Sequence, residues 1–350
     1  MKVLIINTVP FIRDGISSVI MSHYRSLKDR IDFDFVVNTE IIDSFKDEIM
    51  SGNSKIHFIK TRKKNPLAYF FFIKKITENN EYDVIHVHGN SSLMSLELMA
   101  IKNKHKVIVH GHNVKTNYPL LNYFLKPYFR RNFGVGLVPS EEAGTFLFET
   151  ENYRILPNGV NLAKYVYNPQ IRREIHEMLG VCDEKVIICV GNLNEQKYQD
   201  LLITILPTLL EREKCIVLLV GEGERKEKLM TLAKENQVAE YVKFLGSVPN
   251  VHDYYSAADV FVLPTHFESF SVVAVEGQVN GLPCIVSDYL PKIIKQTEDL
   301  HFVSNNDLDT WIELILNVKR AYKDRDLSFF DINTISEELF QIYEKVSLIG

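Results

Sequence analysis

Two glutamates placed eight residues apart, Glu268 and Glu276, flank a polar turn that leads from an apolar run into a helical segment. The run at 260–263 is typical of a buried strand, and Ser269 or Ser271 can cap the start of the helix. The amides of a helix start bind anions, and the helix dipole favours phosphate there. Because a carboxylate beside that position would repel phosphate, the two glutamates suit sugar hydroxyls as hydrogen-bond partners. Phosphate together with hydroxyls indicates a nucleotide sugar.

The elements that position these residues form an alternating series. Short apolar runs alternate with longer amphipathic segments, which predicts βαβ units and parallel sheets. Strands are predicted at 3–6, 33–37, 56–59, 84–87, 107–109 and 134–138, and then at 186–190, 216–220, 242–245, 260–263 and 284–286. Helices are predicted at 17–27, 198–210 and 224–236, and from 310 onward with a break near 324–331. The polar segment 157–169 predicts a linker, so we expect an α/β fold with two Rossmann-like, doubly wound domains that face each other across a cleft.

Composition narrows the class of protein. The chain has 350 residues, of which 46% are hydrophobic, and this is enough for two domains of medium size. The net charge of −5 provides no basic field for a nucleic-acid partner. The four cysteines (Cys182, Cys189, Cys215 and Cys284) show no CxxC spacing, which favours reduced thiols and a cytoplasmic location. No apolar run reaches the about 18 residues of a membrane span, and the first residues are typical of a strand rather than a signal peptide. We therefore expect a cytoplasmic protein that can also lie at the inner face of the cell membrane.

The segment that follows the glutamate pair, Gly-Leu-Pro-Cys-Ile-Val-Ser-Asp at 281–288, completes a longer pattern. In this context the Glu-x7-Glu spacing resembles the signature of the retaining glycosyltransferases of family four (glycosyl transferases group 1), which have the two-domain GT-B fold. Other segments are similar to the same family, namely those at 82–89, 110–113, 157–160 and 221–223. The resemblance covers nearly the whole chain and is to bacterial enzymes that build capsular polysaccharides and exopolysaccharides on a lipid carrier. It implies an acceptor-side domain at 1–160, a nucleotide-sugar domain at 161–330, and a final helix at 331–350 that crosses back to the first domain.

The resemblance also implies which residues of the second domain bind the donor diphosphate and base. Lys197 matches the lysine that binds the diphosphate, whereas Asn192 stands where the family usually has an arginine. A lysine there places a point charge on the diphosphate, and the loss of the arginine removes a second, fork-shaped cation. The backbone at Val248 is expected to contact the base. The Gly-Glu-Gly segment at 221–223 is equally compatible with a tight turn and with a ligand contact.

The helix start contributes the rest of the donor site by the same resemblance. The amides of Phe270, Ser271 and Val272 are expected to bind phosphate or sugar oxygens. Ser271 replaces a glycine that many family members have, which can narrow the sugar pocket. Glu276 is expected to bind the ribose hydroxyls, and Glu268 is expected to bind the hydroxyls of the transferred sugar in a catalytic role.

In the first domain, two positions match residues that face the donor in this family. Gly15 lies where the family has a glycine-rich loop, and a glycine permits close approach of the backbone to a phosphate. His112 matches the histidine that faces the donor sugar, and it is the second catalytic candidate. Alternation along a strand makes His110 and His112 neighbours, but no Cys/His metal spacing accompanies them, which disfavours a zinc pair. His86 and His88 are interpreted as structural residues.

A metal-dependent alternative rests on Asp32 and Asp34, because Asp-x-Asp binds the metal in single-domain, metal-dependent glycosyltransferases. The pair lies on the second predicted strand, far from the other site residues, so this interpretation is not favoured. Without a metal or other cofactor, Lys197 and helix dipoles must stabilise the departing diphosphate.

Two segments of the first domain, 62–75 and 118–131, combine aromatic with basic residues. Basic groups beside exposed aromatics suit an anionic membrane surface. The same composition arises when the aromatics belong to the core and the charges are solvated. Both interpretations stay open.

The function expected is transfer of a sugar, with retention, from a nucleotide diphosphate sugar (a UDP-sugar) to a hydroxyl of a lipid-linked saccharide or other glycan. A nucleotide-sugar epimerase of the same fold is one alternative, although it needs further acid/base carboxylates that the sequence does not locate. A non-catalytic, sugar-binding partner subunit is another. The presence of Lys197 and both glutamates disfavours it.

Overall fold

The computed structural model describes residues 1–12, 14–38, 40–59, 64–149, 152–320 and 326–349. The chain divides into two compact units, of which the first comprises Met1–Gly159 with Phe330–Gly350 and the second comprises Val160–Phe329. The domain boundary expected from the sequence lies one residue later. Among the described residues, no helix is both long and apolar enough to cross a membrane.

The first unit is built on a parallel sheet. Its strands within the described residues are β1 (Lys2–Asn7), β2 (Asp32–Asn38), β3 (Lys55–Ile59), β4 (Val84–Gly89), β5 (Val107–Gly111), β6 (Val135–Val138) and β7 (Arg154–Ile155). They lie in the order β3-β2-β1-β4-β5-β6-β7. The central strands are buried on both faces, which explains why their sequences are nearly continuous apolar runs.

The second unit repeats this arrangement with a sheet of its own. Its strands are β8 (Lys185–Val190), β9 (Cys215–Val220), β10 (Val242–Gly246), β11 (Val260–Leu263), β12 (Cys284–Ser287) and β13 (Leu300–Val303). They lie in the order β10-β9-β8-β11-β12-β13, and every pair of neighbours is parallel. In both units the order reverses beside the first strand, which is the arrangement of a doubly wound fold.

Helices connect the strands. The first unit contains α1 (Gly15–Leu27), α2 (Asp43–Met50), α3 (Pro66–Asn79), α4 (Ser95–Ala100), α5 (Pro119–Phe129) and α6 (Glu141–Phe148). The second contains α7 (Pro169–Leu179), α8 (Asp200–Leu210), α9 (Lys226–Glu235), α10 (Val251–Ala257), α11 (Val272–Val279) and α12 (Leu308–Asn317), and the chain ends with α13 (Ile332–Ser347). Short 3-10 turns lie at Ser92–Met94, Lys104–Lys106, Leu162–Tyr165, Ala239–Tyr241, Lys292–Ile294 and Ser328–Phe330.

The final helix, α13, packs on the first sheet. Its apolar residues recur at helical spacing, and Ile335, Leu339 and Ile342 are buried in the same cluster as Phe33 and Phe35 of β2. Residues 330–350 therefore belong to the first unit although they follow the second unit in sequence.

The α/β prediction with two doubly wound domains is confirmed, and each predicted strand is present with bounds within two residues. The sequence did not indicate β7 or β13. β7 has only two residues, too few to show a period. β13 is an edge strand whose sequence, Leu-His-Phe-Val, includes a histidine in a short run.

The structure does not support the Asp-x-Asp alternative. Asp34 is buried, and its carboxylate accepts a hydrogen bond of 2.8 Å from the Tyr82 hydroxyl and lies 3.3 Å from Nζ of Lys2. Asp32 is exposed at the start of β2, whereas ligands of doubly wound sheets bind at the carboxyl ends of strands. These contacts commit Asp34 to structural partners within the unit.

Candidate active site

The residues expected to form the donor site of the second unit lie where the strand order of its sheet reverses. Strand β8 lies between β9 and β11 in the sheet, and ligands bind outside the carboxyl ends of strands at such a switch point. The loop after β8 carries Lys197, and the turn after β11 carries Glu268. The topology therefore brings together two residues that are 71 positions apart in sequence.

Lys197 and Glu268 form an ion pair between Nζ and Oε1. Their side chains are only 16% and 10% exposed, respectively. Thr265 is fully buried beside them, with its hydroxyl oxygen 3.5 Å from Oε1 of Glu268. The residue expected to bind the diphosphate and the residue expected to bind the transferred sugar are thus in direct contact.

The two loops are joined by hydrogen bonds that hold this pair in place. The side-chain amide of Gln196 donates to the carbonyl of Phe267 at 2.9 Å, and the amide of His266 donates to the carbonyl of Gln196 at 2.8 Å. The ring of Tyr198 stacks on His266 with centroids 4.2 Å apart. Tyr198 has a φ of 51°, a left-handed conformation that is strained for an aromatic residue and is found mainly at functional sites. Sequence reasoning missed Tyr198 because it places the residue inside the following helix, which begins at Asp200.

The Gly-Glu-Gly segment at 221–223 packs against the backbone of the loop that carries Lys197. Gly221 has a φ of 142°, and a Cβ there would lie 2.1 Å from the carbonyl oxygen of Gly191. A Cβ on Gly223 would lie 2.2 Å from the carbonyl oxygen of Leu193. Backbone packing under the lysine loop accounts for both glycines, which favours the tight-turn interpretation.

The start of α11 lies directly after Glu268. Ser271 rather than Ser269 is the N-cap residue, but its hydroxyl makes no capping hydrogen bond. Among the described residues that hydroxyl is buried and has no hydrogen-bond partner. The first amides of the helix, which include that of Val272, have no intrahelical acceptor, and Phe270 is buried before them. The turn therefore offers an unused hydroxyl together with the positive end of a helix dipole.

Glu276 is buried in the second turn of α11. Oε2 accepts a hydrogen bond of 2.9 Å from the Tyr255 hydroxyl. Burial raises the pKa of Glu276, and the hydroxyls of Tyr165 and Tyr255 partly offset that rise. Sequence reasoning missed both tyrosines, since one precedes the second sheet and the other lies on α10. A tyrosine at either position gives no signal of its own.

Asn192 and Val248 are the remaining residues of the second unit that the sequence assigns to the donor site. Asn192 is exposed in the lysine loop, and its carbonyl accepts a hydrogen bond of 3.0 Å from the side chain of Gln199. Val248 is half-buried in the turn after β10, which lies two strands from β8. Two strand spacings correspond to about 10 Å, so Val248 lies at a distance from the lysine loop that a nucleoside can span.

In the first unit, the corresponding switch point lies between β1 and β4. Gly15 is the exposed first residue of α1, and a Cβ there would meet no atom within 4 Å. Asp14 caps the helix by accepting a hydrogen bond of 2.8 Å from the amide of Ser17. Both side-chain polar atoms of Asn7 and the hydroxyl of Thr8 are buried without a partner in the described part of the chain. The carboxyl end of β1 therefore also carries unused polar groups.

His112 follows β5 and is buried. Its Nε2 lies 2.9 Å from Nδ1 of His88 on β4. Burial lowers the pKa of His112 to about 3. The imidazole is therefore neutral at physiological pH.

A cavity of about 450 Å³ opens near these strand ends. It lies next to α5 and contains two lysines, one glutamate and several amide side chains. Its lining residues include Thr8, Glu40, Lys64, Asn90, Asn113, Lys115, Asn117 and Tyr118.

Helix α5 carries an exposed apolar face. Leu120, Tyr123 and Phe124 are 76%, 72% and 74% exposed, respectively, whereas Phe129 at the end of the helix is buried. On α3, Phe71 is exposed and Tyr69 is buried. Each aromatic-basic segment therefore combines core aromatics with exposed ones. Two basic residues of the first segment, Arg62 and Lys63, lie outside the described residues.

The chain is similar in sequence and in fold to known glycosyltransferases. Residues 171–327 match the family model described as glycosyl transferases group 1, and residues 11–135 match the model described as glycosyl transferase 4-like. The chain is 29% identical over 330 residues to Bacillus subtilis EpsF, a glycosyltransferase by name, with 88% of this chain and 85% of that protein covered. It is 30% identical over 166 residues to the GDP-mannose-dependent alpha-(1-6)-phosphatidylinositol monomannoside mannosyltransferase of Mycolicibacterium smegmatis, with 44% of each chain covered. The structure of Anabaena HepE in complex with UDP and glucose matches with a TM-score of 0.81 at 16% identity, over 98% of this chain and 99% of that chain.

The fold and the family matches define a glycosyltransferase with the GT-B fold, as the sequence resemblance predicted. Within that class, residues 171–327 match the model of the glycosyl transferases group 1.

Proposed function

We propose that this glycosyltransferase moves a sugar from a UDP-sugar to an acceptor hydroxyl with retention at the anomeric carbon, in the synthesis of a bacterial surface polysaccharide or glycoconjugate. The observation that carries the proposal is the meeting of Lys197, Glu268 and the unused Ser271 hydroxyl at the start of α11. A cation, a carboxylate and free helix amides in one place suit a sugar diphosphate and no simpler anion. HepE, the structural neighbour, was solved with UDP and glucose, and this supports the choice of nucleotide.

On this proposal, the residues of the second unit divide the donor between them. The diphosphate binds Nζ of Lys197 and the first amides of α11, and the Ser271 hydroxyl donates a further hydrogen bond. Glu268, released from its ion pair, accepts hydrogen bonds from the hydroxyls of the sugar. The ribose hydroxyls bind Glu276 beside Tyr255, and the backbone near Val248 contacts the base.

Catalysis on this proposal is mainly electrostatic. A diphosphate is a good leaving group, and preorganised cations and dipoles stabilise the charge that develops on it. Lys197 and the α11 dipole supply that stabilisation without a metal. His112, neutral because it is buried, is proposed to hydrogen-bond the transferred sugar, while Gly15 permits the backbone to approach the phosphate.

Donor selection is tested by thermal denaturation in the presence of UDP-, GDP- and dTDP-sugars. A ligand at 100 times its Kd adds about 2.7 kcal/mol to the free energy of unfolding, so a cognate donor should raise the Tm clearly above the other nucleotides. The anomeric configuration of the product, measured by NMR, tests retention. Stabilisation by GDP-mannose alone, or an inverted product, would overturn the corresponding part of the proposal.

Metal independence has its own test. Excess EDTA should leave sugar transfer and donor hydrolysis intact. Activity that EDTA abolishes and manganese alone restores would contradict the electrostatic role given to Lys197.

We further propose that the acceptor is a lipid-linked saccharide and that α5 contacts an anionic membrane. Leu120, Tyr123 and Phe124 present an exposed apolar face, and the adjacent cavity contains Lys64 and Lys115. Apolar side chains beside lysines suit the boundary between headgroups and acyl chains of anionic lipid. The mannosyltransferase relative acts on a phosphatidylinositol mannoside, according to its name, which agrees with a lipid acceptor.

Co-sedimentation with phosphatidylglycerol vesicles tests this contact. The wild-type protein should bind at low salt and release as ionic strength rises, because salt screens surface electrostatics. Phe124→Asp should abolish binding. Met178→Asp, which changes a residue 60% exposed on α7, should retain it. Equal binding by both variants, or none by the wild type, would favour an acceptor free in solution.

A further inference from the structure

Four histidines of the first sheet lie together in its interior. His86 and His88 lie two residues apart on one face of β4, and His110 of β5 is followed two residues later by His112, just past the end of that strand. The strands are paired so that His88 lies opposite His110. The ring centroids of His86 and His88 are 4.0 Å apart, and those of His110 and His112 are 4.2 Å apart. Ligand nitrogens of His86, His88 and His110 all lie within 4.8 Å of one another.

The hydrogen bonds of this cluster leave nitrogens unused on its inner side. Nδ1 of His86 lies 2.7 Å from the Tyr343 hydroxyl, and its Nε2 is buried without a partner among the described residues. Nδ1 of His88 bonds to His112 at 2.9 Å, so Nε2 of His88 is the nitrogen not engaged in that bond. Both ring nitrogens of His110 are buried without a partner in the described part of the chain.

His86 and His88 share one feature with metal-binding histidines. A ligating imidazole coordinates with one nitrogen and donates the other N–H to a fixed partner, which sets its tautomer and orientation. Tyr343 is that partner for His86, and His112 is that partner for His88. A neutral imidazole with no partner loses about 1–3 kcal/mol of hydrogen bonding on burial, so His110 lacks a structural reason to be histidine.

We propose that His86, His88 and His110 bind a divalent cation of the zinc class inside the first unit, one hydrogen bond away from His112. Three imidazoles without a carboxylate select zinc, cobalt, nickel or copper over magnesium or calcium. A zinc–nitrogen distance of about 2.0–2.1 Å places tetrahedral ligand atoms about 3.3 Å apart. The ligand atoms now lie within 4.8 Å of one another, so the rings must move closer together when an ion binds. A cavity of about 10 Å³ adjoins the rings of His86 and His88 beside Tyr343.

Burial lowers the pKa of all three histidines, and the charges of neighbouring histidines lower it further. The ion would tie β4 to β5. It would also fix His88 as the Nδ1–H tautomer, so that His112 accepts that hydrogen bond at Nε2.

The wild-type protein, expressed with cobalt(II) in the medium, provides the first test. We expect about one metal ion per chain by elemental analysis after gel filtration, and the visible absorption of four-coordinate cobalt. Zinc should displace the cobalt and abolish that absorption. Absence of stoichiometric metal would overturn the proposal without any variant.

Three variants assign the ligands. His110→Leu should bind less than about a tenth of the wild-type metal, and its Tm should not respond to zinc. His110→Cys should retain the ion and add a thiolate-to-cobalt charge-transfer band, a change that a purely structural role for His110 would not produce. His105→Asn, at an exposed position, is the matched control and should bind like the wild type. Equal metal uptake by His110→Leu and the wild type would show that the cation binds elsewhere.

Discussion

Because Lys197 and Glu268 form an ion pair, removing the charge of Glu268 is expected to strengthen nucleotide binding rather than weaken it. The lysine cannot bind a diphosphate fully while its charge is committed to Glu268. Replacing Glu268 by glutamine removes that competing charge but keeps the shape of the side chain. We therefore expect Glu268→Gln to bind the free nucleotide diphosphate more tightly than the wild type and to transfer sugar more slowly.

The size of the effect follows from the environment of the pair. Two unit charges about 4 Å apart near a protein surface attract each other by about 4 kcal/mol before the costs of desolvation and ordering, whereas fully exposed pairs contribute about 0.2–1 kcal/mol. The two side chains are 16% and 10% exposed, so the pair falls between these limits. A net value of about 1–2 kcal/mol corresponds to a gain of about 5- to 30-fold in nucleotide affinity. Turnover should fall at least about 10-fold, because Glu268 is proposed to act where charge develops on the sugar.

Calorimetric titration with the nucleotide diphosphate selected by the donor screen measures the first effect, and steady-state transfer measures the second. Glu195→Gln removes an exposed charge from the same loop and controls for long-range electrostatics. Lys197→Ala should weaken binding, and adding Glu268→Gln to it should restore nothing, since the two residues are coupled. Nucleotide affinity of Glu268→Gln that is equal to or weaker than that of the wild type would refute the reasoning.

Further predictions concern the groups that support the two units. Tyr255→Phe should lower the free energy of unfolding by about 1–3 kcal/mol in denaturant titrations, because buried Glu276 loses a hydrogen bond; an unchanged midpoint would contradict this. Burial alone would raise the pKa of Asp34, but His57, whose Nε2 lies 3.7 Å from the carboxylate, the hydrogen bond from Tyr82 and the charge of Lys2 hold that pKa at about 2, against 3.8 when unfolded. The carboxylate therefore contributes about 2 kcal/mol above pH 4, and this contribution is lost as the pH falls toward 2. Tyr82→Phe should reduce that acid-dependent loss, and an unaltered acid titration would argue against it. Gly223→Ala should lower the Tm, because the added Cβ would lie 2.2 Å from the carbonyl oxygen of Leu193. A Tm equal to that of the wild type would show that the loop at 191–197 moves to accommodate the methyl group.

The sequence predicts most of this fold because the buried strands of a parallel sheet appear in the sequence as short apolar runs. The run at 260–263 coincides with β11 residue for residue. Strand β7 was not predicted because its two residues are too few to show the alternating pattern of a strand. The assignment of α13 to the first unit came from the family resemblance, because an amphipathic pattern does not indicate which sheet a helix will cover.

The candidate site is predictable in its residues but not in their partners. The positions of Lys197, Glu268 and Glu276 follow from spacing and resemblance. Their contacts depend on which loops a sheet places side by side, and a switch point joins loops about 70 residues apart. Strand register is also invisible to local pattern, so the facing of His88 and His110 could have been anticipated only by aligning the ends of β4 and β5.

Unused polar groups mark the same location in both sheets. Asn7 is the last residue of β1 in the first unit and Thr8 follows it, and Ser271 lies after β11 of the second unit. A buried polar group without a partner costs about 1–3 kcal/mol, and native chains avoid that cost elsewhere by pairing such groups. Ser271 makes the point most directly, because an N-cap serine normally accepts a hydrogen bond from its own helix and this one does not. Stability alone would select a different residue or rotamer at these positions. Their persistence at two topological switch points, where ligands of this fold bind, is best explained by hydrogen bonds that form only when a substrate arrives.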